Sequence, residues 1–268
     1  MQKELRREIA CCQQHLKYCM VAVIKCLLSI LLFIDFYPVK MIKSSAKIAS
    51  QTPKTTEGIL DAVRDLARGY FHGARGSHDW DHTLRVCRLC RRIGTAEGVD
   101  LIVVLTAAYL HDIGRSCQDD AGGAVCHAEK GARLAESALE QLSLSENQRQ
   151  NILHCIRSHR FRGSHQPRTP EARVLFDADK LDAIGAVGVA RAFLFAGEVG
   201  ARLHRDVKNI EKTRSYSIDD TGFREFKVKL CKIRQRMLTG EGRRLAEERH
   251  AFMEKFFNRF LEEYRGER

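Results

Sequence analysis

An adjacent imidazole and carboxylate, His111 and Asp112, end a long apolar run and constrain this sequence more than any other feature. The run VDLIVVLTAAYLHDIGR, Val99 to Arg115, is typical of a mostly buried helix, and Gly114 is its expected end. Burying both polar groups costs free energy unless something pairs with them. Neighbouring helix positions point about 100° apart, so the two groups can reach one ion from two directions. The pair therefore predicts a metal site at the end of a buried helix.

Two further segments supply side chains of the same kinds. His82 lies in GSHDWDHTLRVCRLCRRIG, which has an apolar helical face. Asp177, Asp179 and Asp182 interrupt VLFDADKLDAIGAVGVARAF, which is too apolar for a solvated face. We interpret Asp179 as a metal ligand, and Asp182 as a residue that holds a ligand histidine or a bound water. This is a site with imidazole and carboxylate ligands rather than thiolate ligands, and such ligands suit Zn, Mn, Fe or Ni.

Five short motifs occur in order along the chain. They read HDWxHTxRV, LHDIGR, CHAExGA, DADKLDAIGAVGxARAF and TxxGRxxAxxRxxFM, at His78–Val86, Leu110–Arg115, Cys126–Ala132, Asp177–Phe193 and Thr239–Met253. Together they resemble the HD-domain superfamily of metal-dependent phosphohydrolases, in particular its small bacterial hydrolases, over roughly three quarters of the chain. The resemblance implies an all-α fold, a helical bundle with a central metal site, whose ligands would be His82, His111, Asp112 and Asp179. Helical periodicity also dominates the sequence itself, and β-type alternation is absent.

Two more histidines bear on whether the site holds one ion or two. His127 opens an amphipathic helical segment, CHAEKGARLAESALEQL, and His159 lies near the end of another, NILHCIRSHRFRG. In the binuclear enzymes that these segments resemble, histidines in HxxxGA and IRxH contexts bind the second ion. Both residues are therefore candidates for a second metal or for substrate contact. The alternative is that each is only a polar residue near the mouth of a pocket.

The resemblance implies cleavage of a phosphate ester or anhydride by metal-activated water. Mn is the favoured divalent ion, with Mg, Co, Ni, Fe and Zn as alternatives. Asp112 is expected at the catalytic centre, and Asp182 or His78 could carry a proton. No GxxxxGK[ST] or GxSxG motif offers another route to hydrolysis. The cations expected to bind the substrate phosphate are Arg115, Lys180 and Arg160.

The substrate is expected to be a nucleotide or a related small phosphate compound. Two other functions stay open: an HD-fold di-iron oxygenase, which also uses four histidines and two carboxylates, and a non-catalytic nucleotide-binding protein. The net charge is +11, but residues 1–53 carry eight basic and three acidic side chains, which leaves +6 for the remainder. No basic stripe is interleaved with aromatic residues, so a small anionic substrate is favoured over nucleic acid. The sequence gives no indication of the oligomeric state.

Residues 1–53 are predicted to be an extension that precedes the catalytic domain, residues 54–268. The extension contains an apolar stretch, Met20 to Tyr37, which is broken by two charges and is close to the lower length limit for crossing a bilayer. Three interpretations compete: a membrane anchor, a helix packed on the catalytic domain, and a natural start at Met41. The ten cysteines form no disulfide framework, which favours free thiols and a cytoplasmic location.

The C-terminal run is predicted to be an amphipathic helix that packs on the core. It extends from Glu241 to Tyr264. Its apolar side chains have heptad-like spacing, and those expected to face the core are Leu245, Phe252, Phe256, Phe260 and Tyr264.

Overall fold

A computed structural model of the chain describes residues 55–71, 79–122, 124–160, 165–215 and 217–268. The α-helices in chain order are α1 (Thr56–Gly69), α2 (Trp80–Glu97), α3 (Leu101–Leu110), α4 (Arg115–Asp120), α5 (His127–Leu139), α6 (Glu146–Ser158), α7 (Pro170–Leu181), α8 (Gly185–Glu198), α9 (Gly222–Val228) and α10 (Gly240–Tyr264). Three short 3-10 helices, Ile210–Lys212, Leu230–Lys232 and Arg234–Arg236, lie between α8 and α10. None of the described residues is in a strand, which confirms the predicted all-α class.

Helix α3 is the centre of the bundle. Its sequence, LIVVLTAAYL, is almost wholly apolar, and most of its side chains are buried. It packs against α1, α2, α6 and α7, and these helices bury the apolar side chains on most of its faces. Asp100 caps its first turn by accepting hydrogen bonds from the amides of Ile102 and Val103. Its last turn brings His111 and Asp112 into the interior of the bundle.

The helices around α3 begin and end at residues with clear local preferences. Asp79 caps α2, Ser145 caps α6 in a capping box, and Thr169 caps α7 just before Pro170. Gly98 ends α2 with φ 69°, in the left-handed region that favours glycine. These residues determine where the helices begin and where α2 ends. They therefore also determine how far along each helix axis its histidine or aspartate lies.

The C-terminal helix α10 packs against α8 and α7, as the sequence predicts. The predicted set of core-facing residues is wrong in part, since Phe252 is 45% exposed and Tyr264 is 48% exposed. Leu245 is buried as predicted, Phe256 and Phe260 are partly buried against the core, and the other buried apolar side chains of the helix are Ala246, Met253 and Phe257. Phe252, Phe256, Phe260 and Tyr264 are four residues apart. On a helix with 3.6 residues per turn each such step turns the stripe by about 40°, so the stripe crosses the buried face instead of following it.

Residues 1–53 and His78 lie outside the described residues, so the three interpretations of the N-terminal extension stay predictions. The described residues belong to one unit, Thr52–Arg268. Within these ranges no helix combines the length and the apolar composition needed to cross a bilayer. The cysteines of the described ranges are free thiols.

Candidate metal centre

The apolar helix α3 ends immediately before the His111–Asp112 pair. His111 is its C-terminal cap, and a turn leads to Arg115, where α4 begins, so the predicted continuation of the helix to Gly114 is wrong. Both side chains of the pair are nevertheless buried, at 0% and 3% exposure. The turn lies directly on α5, since a Cβ atom on Gly114 would be 2.3 Å from the carbonyl oxygen of His127. This close approach brings His127 next to the pair.

Four buried histidines surround Asp112, and each has its Nδ1 atom hydrogen-bonded to an acceptor. The acceptors are Asp182 Oδ2 for His82 (2.8 Å), Ala108 O for His111 (2.7 Å), Gln118 Oε1 for His127 (2.8 Å) and Ile156 O for His159 (2.7 Å). Because oxygen acceptors take a hydrogen, each Nδ1 carries one, and Nε2 of the neutral ring presents a lone pair. Histidines that bind metals are commonly oriented by such a second hydrogen bond.

The candidate ligand atoms form two groups. Within each group they lie within 4.8 Å of one another, and the groups are His82, His111 and Asp179, and Asp112, His127 and His159. Asp112 also faces the first group. Its Oδ1 is 3.4 Å from His127 Nε2 and 3.6 Å from His159 Nε2, and its Oδ2 is 3.6 Å from His111 Nε2 and 3.9 Å from His82 Nε2. A carboxylate placed in this way can contact two ions about 3.5–4 Å apart, the spacing of two-metal sites.

The donor set fits a cation in each group. His127 Nε2 and His159 Nε2 lie 3.1 Å apart, although two lone pairs cannot hydrogen-bond to each other. In the first group, His111 Nε2 is buried and has no hydrogen-bond partner among the described residues. Buried polar atoms without partners are costly, and a metal ion would satisfy them. Imidazole and carboxylate donors suit a divalent transition metal.

Asp182 holds His82 on the side away from the centre. Its carboxylate is buried and accepts hydrogen bonds from His82 Nδ1, from two nitrogens of Arg85 and from Arg191 Nη1. Burial opposes its ionisation, but these donors outweigh burial and hold the pKa of Asp182 well below its usual range. An ionised carboxylate with its acceptor positions occupied has no proton to give. The geometry therefore favours the predicted role as holder of a ligand histidine over the predicted role as proton carrier.

Burial lowers the pKa of three of the candidate ligand histidines, whereas neighbouring carboxylates raise it. For His82 burial favours the neutral form, but Asp179 and Asp182 outweigh it and raise its pKa to about 9. Burial lowers the pKa of His111 to about 4 and that of His127 to about 3. The position between Asp179 and His82 Nε2, which are 3.4 Å apart, thus attracts positive charge.

Lys180, which the sequence predicts to bind phosphate, instead contacts residues of the candidate metal centre. Its Nζ atom is 2.5 Å from Asp179 Oδ2 and donates to the carbonyl oxygen of His159 at 3.0 Å. Burial opposes ionisation of Asp179, but the charge of Lys180 and contacts with His82 hold its pKa well below the usual range. Lys180 therefore keeps a candidate ligand ionised and in place.

The two predicted arginines lie on the side of His127. Arg115 Nε is 3.6 Å from Asp119 Oδ1, and Arg160 Nη1 donates to Cys126 Sγ at 3.0 Å. Both guanidinium groups are near enough to help lower the pKa of His127, after the larger effects of burial. Their charges thus face the second group of candidate ligands.

Of the side chains that support these ligands, the sequence predicts only Asp182 in that role. Arg85 lies three residues after His82 on the same helix face, and this spacing is the sequence signal that the two side chains reach the same carboxylate. Gln118 and Arg191 reach the centre from α4 and α8. Arg191 lies within the motif at Asp177–Phe193, but no role follows from its position there, and nothing in the local sequence marks Gln118.

Comparison with known proteins gives consistent matches. The sequence profile of the family described as HD domain matches residues 79–184, which include α2 to α7. The chain is 32% identical to the uncharacterized protein YpgQ of Bacillus subtilis over 214 residues, which cover 77% of this chain and 94% of YpgQ. The crystal structure of YpgQ in complex with ADP is similar with a TM-score of 0.61 over 78% of this chain and 95% of that chain. An HD-superfamily hydrolase from Bacillus thuringiensis, 26% identical, has a TM-score of 0.62 over 79% and 99% of the two chains.

Proposed function

The chain belongs to the HD-domain family of phosphohydrolases, and from that membership we propose that it binds two divalent ions and cleaves a phosphate ester or anhydride of a nucleotide. The observation that carries the proposal is the position of Asp112 among four histidine Nε2 atoms, 3.4 to 3.9 Å from its two oxygens. Each oxygen of this carboxylate is directed to a different group of candidate ligands, an arrangement that serves two ions and that a single ion would not need.

Each group of residues would hold one ion. His82, His111 and Asp179 would bind the first, His127 and His159 the second, and Asp112 would contact both. A divalent ion bound here lowers the pKa of a water molecule and polarises a phosphoryl oxygen. Manganese suits the mixture of imidazole and carboxylate donors, and Mg, Co, Ni, Fe and Zn are the ions to compare with it.

The remaining side chains bind and orient the substrate. We assign phosphate binding to Arg115 and Arg160, because their charges lie beside His127 and a guanidinium can grip two phosphate oxygens at once. Phosphoryl transfer depends chiefly on such positioning and charge neutralisation. Lys180 keeps Asp179 ionised. Asp112 is the residue on which both groups of candidate ligands depend, because its carboxylate faces both.

The nucleotide is inferred from a relative. YpgQ of Bacillus subtilis, which matches over 77% of this chain, has been crystallised in complex with ADP. A positive field near the centre would draw in such an anion. Release of phosphate and release of pyrophosphate are both compatible with the arrangement, so both products are to be measured.

The test uses the full chain, stripped of metal and reloaded with each ion in turn. Release of phosphate and pyrophosphate is followed with nucleoside mono-, di- and triphosphates, and bound metal is counted by mass spectrometry. We expect Asp112→Asn to lower turnover by at least about 1,000-fold, because it removes the charge shared by both ion sites. Asp120→Asn, which changes an exposed carboxylate on α4, is the matched control and should leave turnover unchanged.

The outcomes separate the candidate functions. No release with any ion, from folded protein shown to hold metal, would rule out nucleotide hydrolysis. Oxygen consumption by the iron-loaded protein would then favour the oxygenase function, since four histidines and two aspartates also suit a di-iron site. Nucleotide binding without either reaction would favour a non-catalytic binding protein.

A further inference from the structure

We propose that Arg85 and Arg191 are positioning residues of the metal centre, which lock Asp182 so that it holds the ring of His82 in its metal-binding orientation. The inference rests on the metal-binding part of the proposed function. It also extends the centre beyond the segment that the family profile matches, because that segment ends at residue 184 and Arg191 lies in α8.

The carboxylate of Asp182 is saturated with donors. Its Oδ1 accepts from Arg85 Nε at 2.7 Å. Its Oδ2 accepts from His82 Nδ1 at 2.8 Å, from Arg191 Nη1 at 2.8 Å and from Arg85 Nη2 at 3.1 Å. A carboxylate offers about four lone-pair positions, so rotation of this group would break several bonds at once.

The donors come from different helices. His82 and Arg85 both belong to α2, whereas Asp182 directly follows α7 and Arg191 belongs to α8. Arg191 is therefore the contact that fixes the carboxylate from outside α2, and its bond couples the orientation of His82 to the packing of α8. A contact within α2 alone could not do this.

Little water is available to replace these contacts. The side chain of Asp182 is 2% exposed and that of Arg191 is 15% exposed. Removing Arg191 leaves the buried carboxylate with one bound arginine, Arg85, and the carboxylate then turns toward the donors that remain on α2. The ring of His82 would follow it, which moves Nε2 relative to Asp179 and His111. Loss of a partner of this kind typically costs metal affinity about 10- to 100-fold.

The experiment measures metal binding by the full chain rather than turnover. Metal-free protein is titrated with Co²⁺, and both the affinity and the visible absorption band of bound Co²⁺ are recorded. We expect Arg191→Gln to bind Co²⁺ about 10- to 100-fold more weakly with a changed band, and Arg191→Lys to restore part of both. Arg173→Gln removes an exposed arginine of α7 and should behave like the wild type.

A double-mutant cycle tests whether Arg191 acts through Asp182. In an Asp182→Asn background, Arg191→Gln should weaken Co²⁺ binding little further, because the link is already broken. Additive losses, or wild-type affinity and absorption in Arg191→Gln, would overturn the proposal. Thermal unfolding is recorded for every variant, and if Arg191→Gln does not fold, Arg191→Lys and Arg85→Gln serve for the same comparison.

The two proposals fail in different ways. Wild-type protein that binds Co²⁺ with the expected differences among variants but releases no phosphate or pyrophosphate would refute hydrolysis and leave this inference standing. Wild-type protein that binds no Co²⁺ would refute both.

Discussion

Asp177 accepts hydrogen bonds from both the backbone amide and the hydroxyl of Thr239, at 2.8 and 2.7 Å. It also accepts from the amide of Leu238 at 2.9 Å. The hydroxyl of Thr239 in turn caps α10 by accepting from the amide of Gly242. A buried carboxylate two residues before Asp179 therefore ties α7 to the first turn of the C-terminal helix, and its role is structural.

We expect Asp177→Asn to lower the free energy of unfolding by about 1–3 kcal/mol, because with its oxygen on the Thr239 donors the amide nitrogen would face the backbone amide of Leu238 in a buried site. Urea unfolding of the two proteins measures the difference. Asp120→Asn, on the surface of α4, should change stability by less than about 0.5 kcal/mol. Equal unfolding midpoints for Asp177→Asn and the wild type would contradict the structural role.

The second ion depends on the pair His127 and His159. We expect the wild-type chain to bind two Mn²⁺ ions and His159→Ala to bind one, since His82, His111 and Asp179 form a separate group. Metal counting after gel filtration measures the ratio. His154→Ala is the control on the same helix, because its Nε2 accepts from the amide of Arg168 and lies outside both groups. Two ions retained in His159→Ala would argue against the second site.

Without metal, the fold should be most stable near pH 6.5. The pKa of His82 is raised from an ordinary 6.5 to about 9, so its protonated form stabilises the fold fully below pH 6.5, and this stabilisation is lost as the pH rises from 6.5 through 9. It amounts to about 3 kcal/mol. The pKa values of His111 and His127 are lowered, to about 4 and about 3, so the unfolded chain takes up protons first and stability also falls below pH 6.5.

Urea unfolding in the presence of a chelator, at intervals from pH 5 to 9.5, measures this dependence. Between pH 6.5 and 8.5, His82→Gln should abolish the loss of stability, whereas His165→Gln, an exposed histidine, should preserve it. Above this range both variants should lose stability, because burial raises the pKa of the Cys87 and Cys155 thiols and the unfolded chain ionises first. Added Mn²⁺ should reverse the alkaline trend, because the ion competes with the proton at His82 Nε2 and binds more tightly as the pH rises. Stability that increases steadily to pH 9 in the metal-free protein would show that the proton is not held there.

The sequence predicts those parts of the fold that depend on local patterns. The buried apolar run of α3, the amphipathic C-terminal helix and the all-α class all agree with the helical periodicity of the sequence. The end of α3 does not, since His111 keeps helical backbone angles although the helix has ended, and the turn that follows packs closely on α5. The predicted core-facing stripe of α10 is wrong in part because side chains four residues apart turn about 40° around the helix at each step.

The candidate site shows the same division. Residue type and motif order lead to His82, His111, Asp112 and Asp179, but not to how they are shared between two groups of ligands. How the ligands are shared between the two groups depends on which atoms of different helices approach one another. Asp182 shows this best, because the sequence allows it to hold a histidine or to carry a proton. Its hydrogen bonds with His82, Arg85 and Arg191 favour the first role.

Gly114 sets the distance between the turn after α3 and helix α5. A Cβ atom there would lie 2.3 Å from the carbonyl oxygen of His127 and 2.6 Å from the amide nitrogen of Gly131, both backbone atoms that cannot turn aside. We expect Gly114→Ala to push α5 outward, destabilise the fold by more than about 2 kcal/mol and remove the second ion while the first group keeps its ligands. Unfolding in urea and metal counting measure the two effects.

Gly197→Ala is the matched control, since a Cβ atom at this position in α8 meets nothing within 4 Å. It should be neutral or stabilising by up to about 1 kcal/mol, as alanine is the better helix former. If Gly114→Ala retained both ions and wild-type stability, α5 could move without cost, and its contact with the turn would not be what holds His127 beside Asp112.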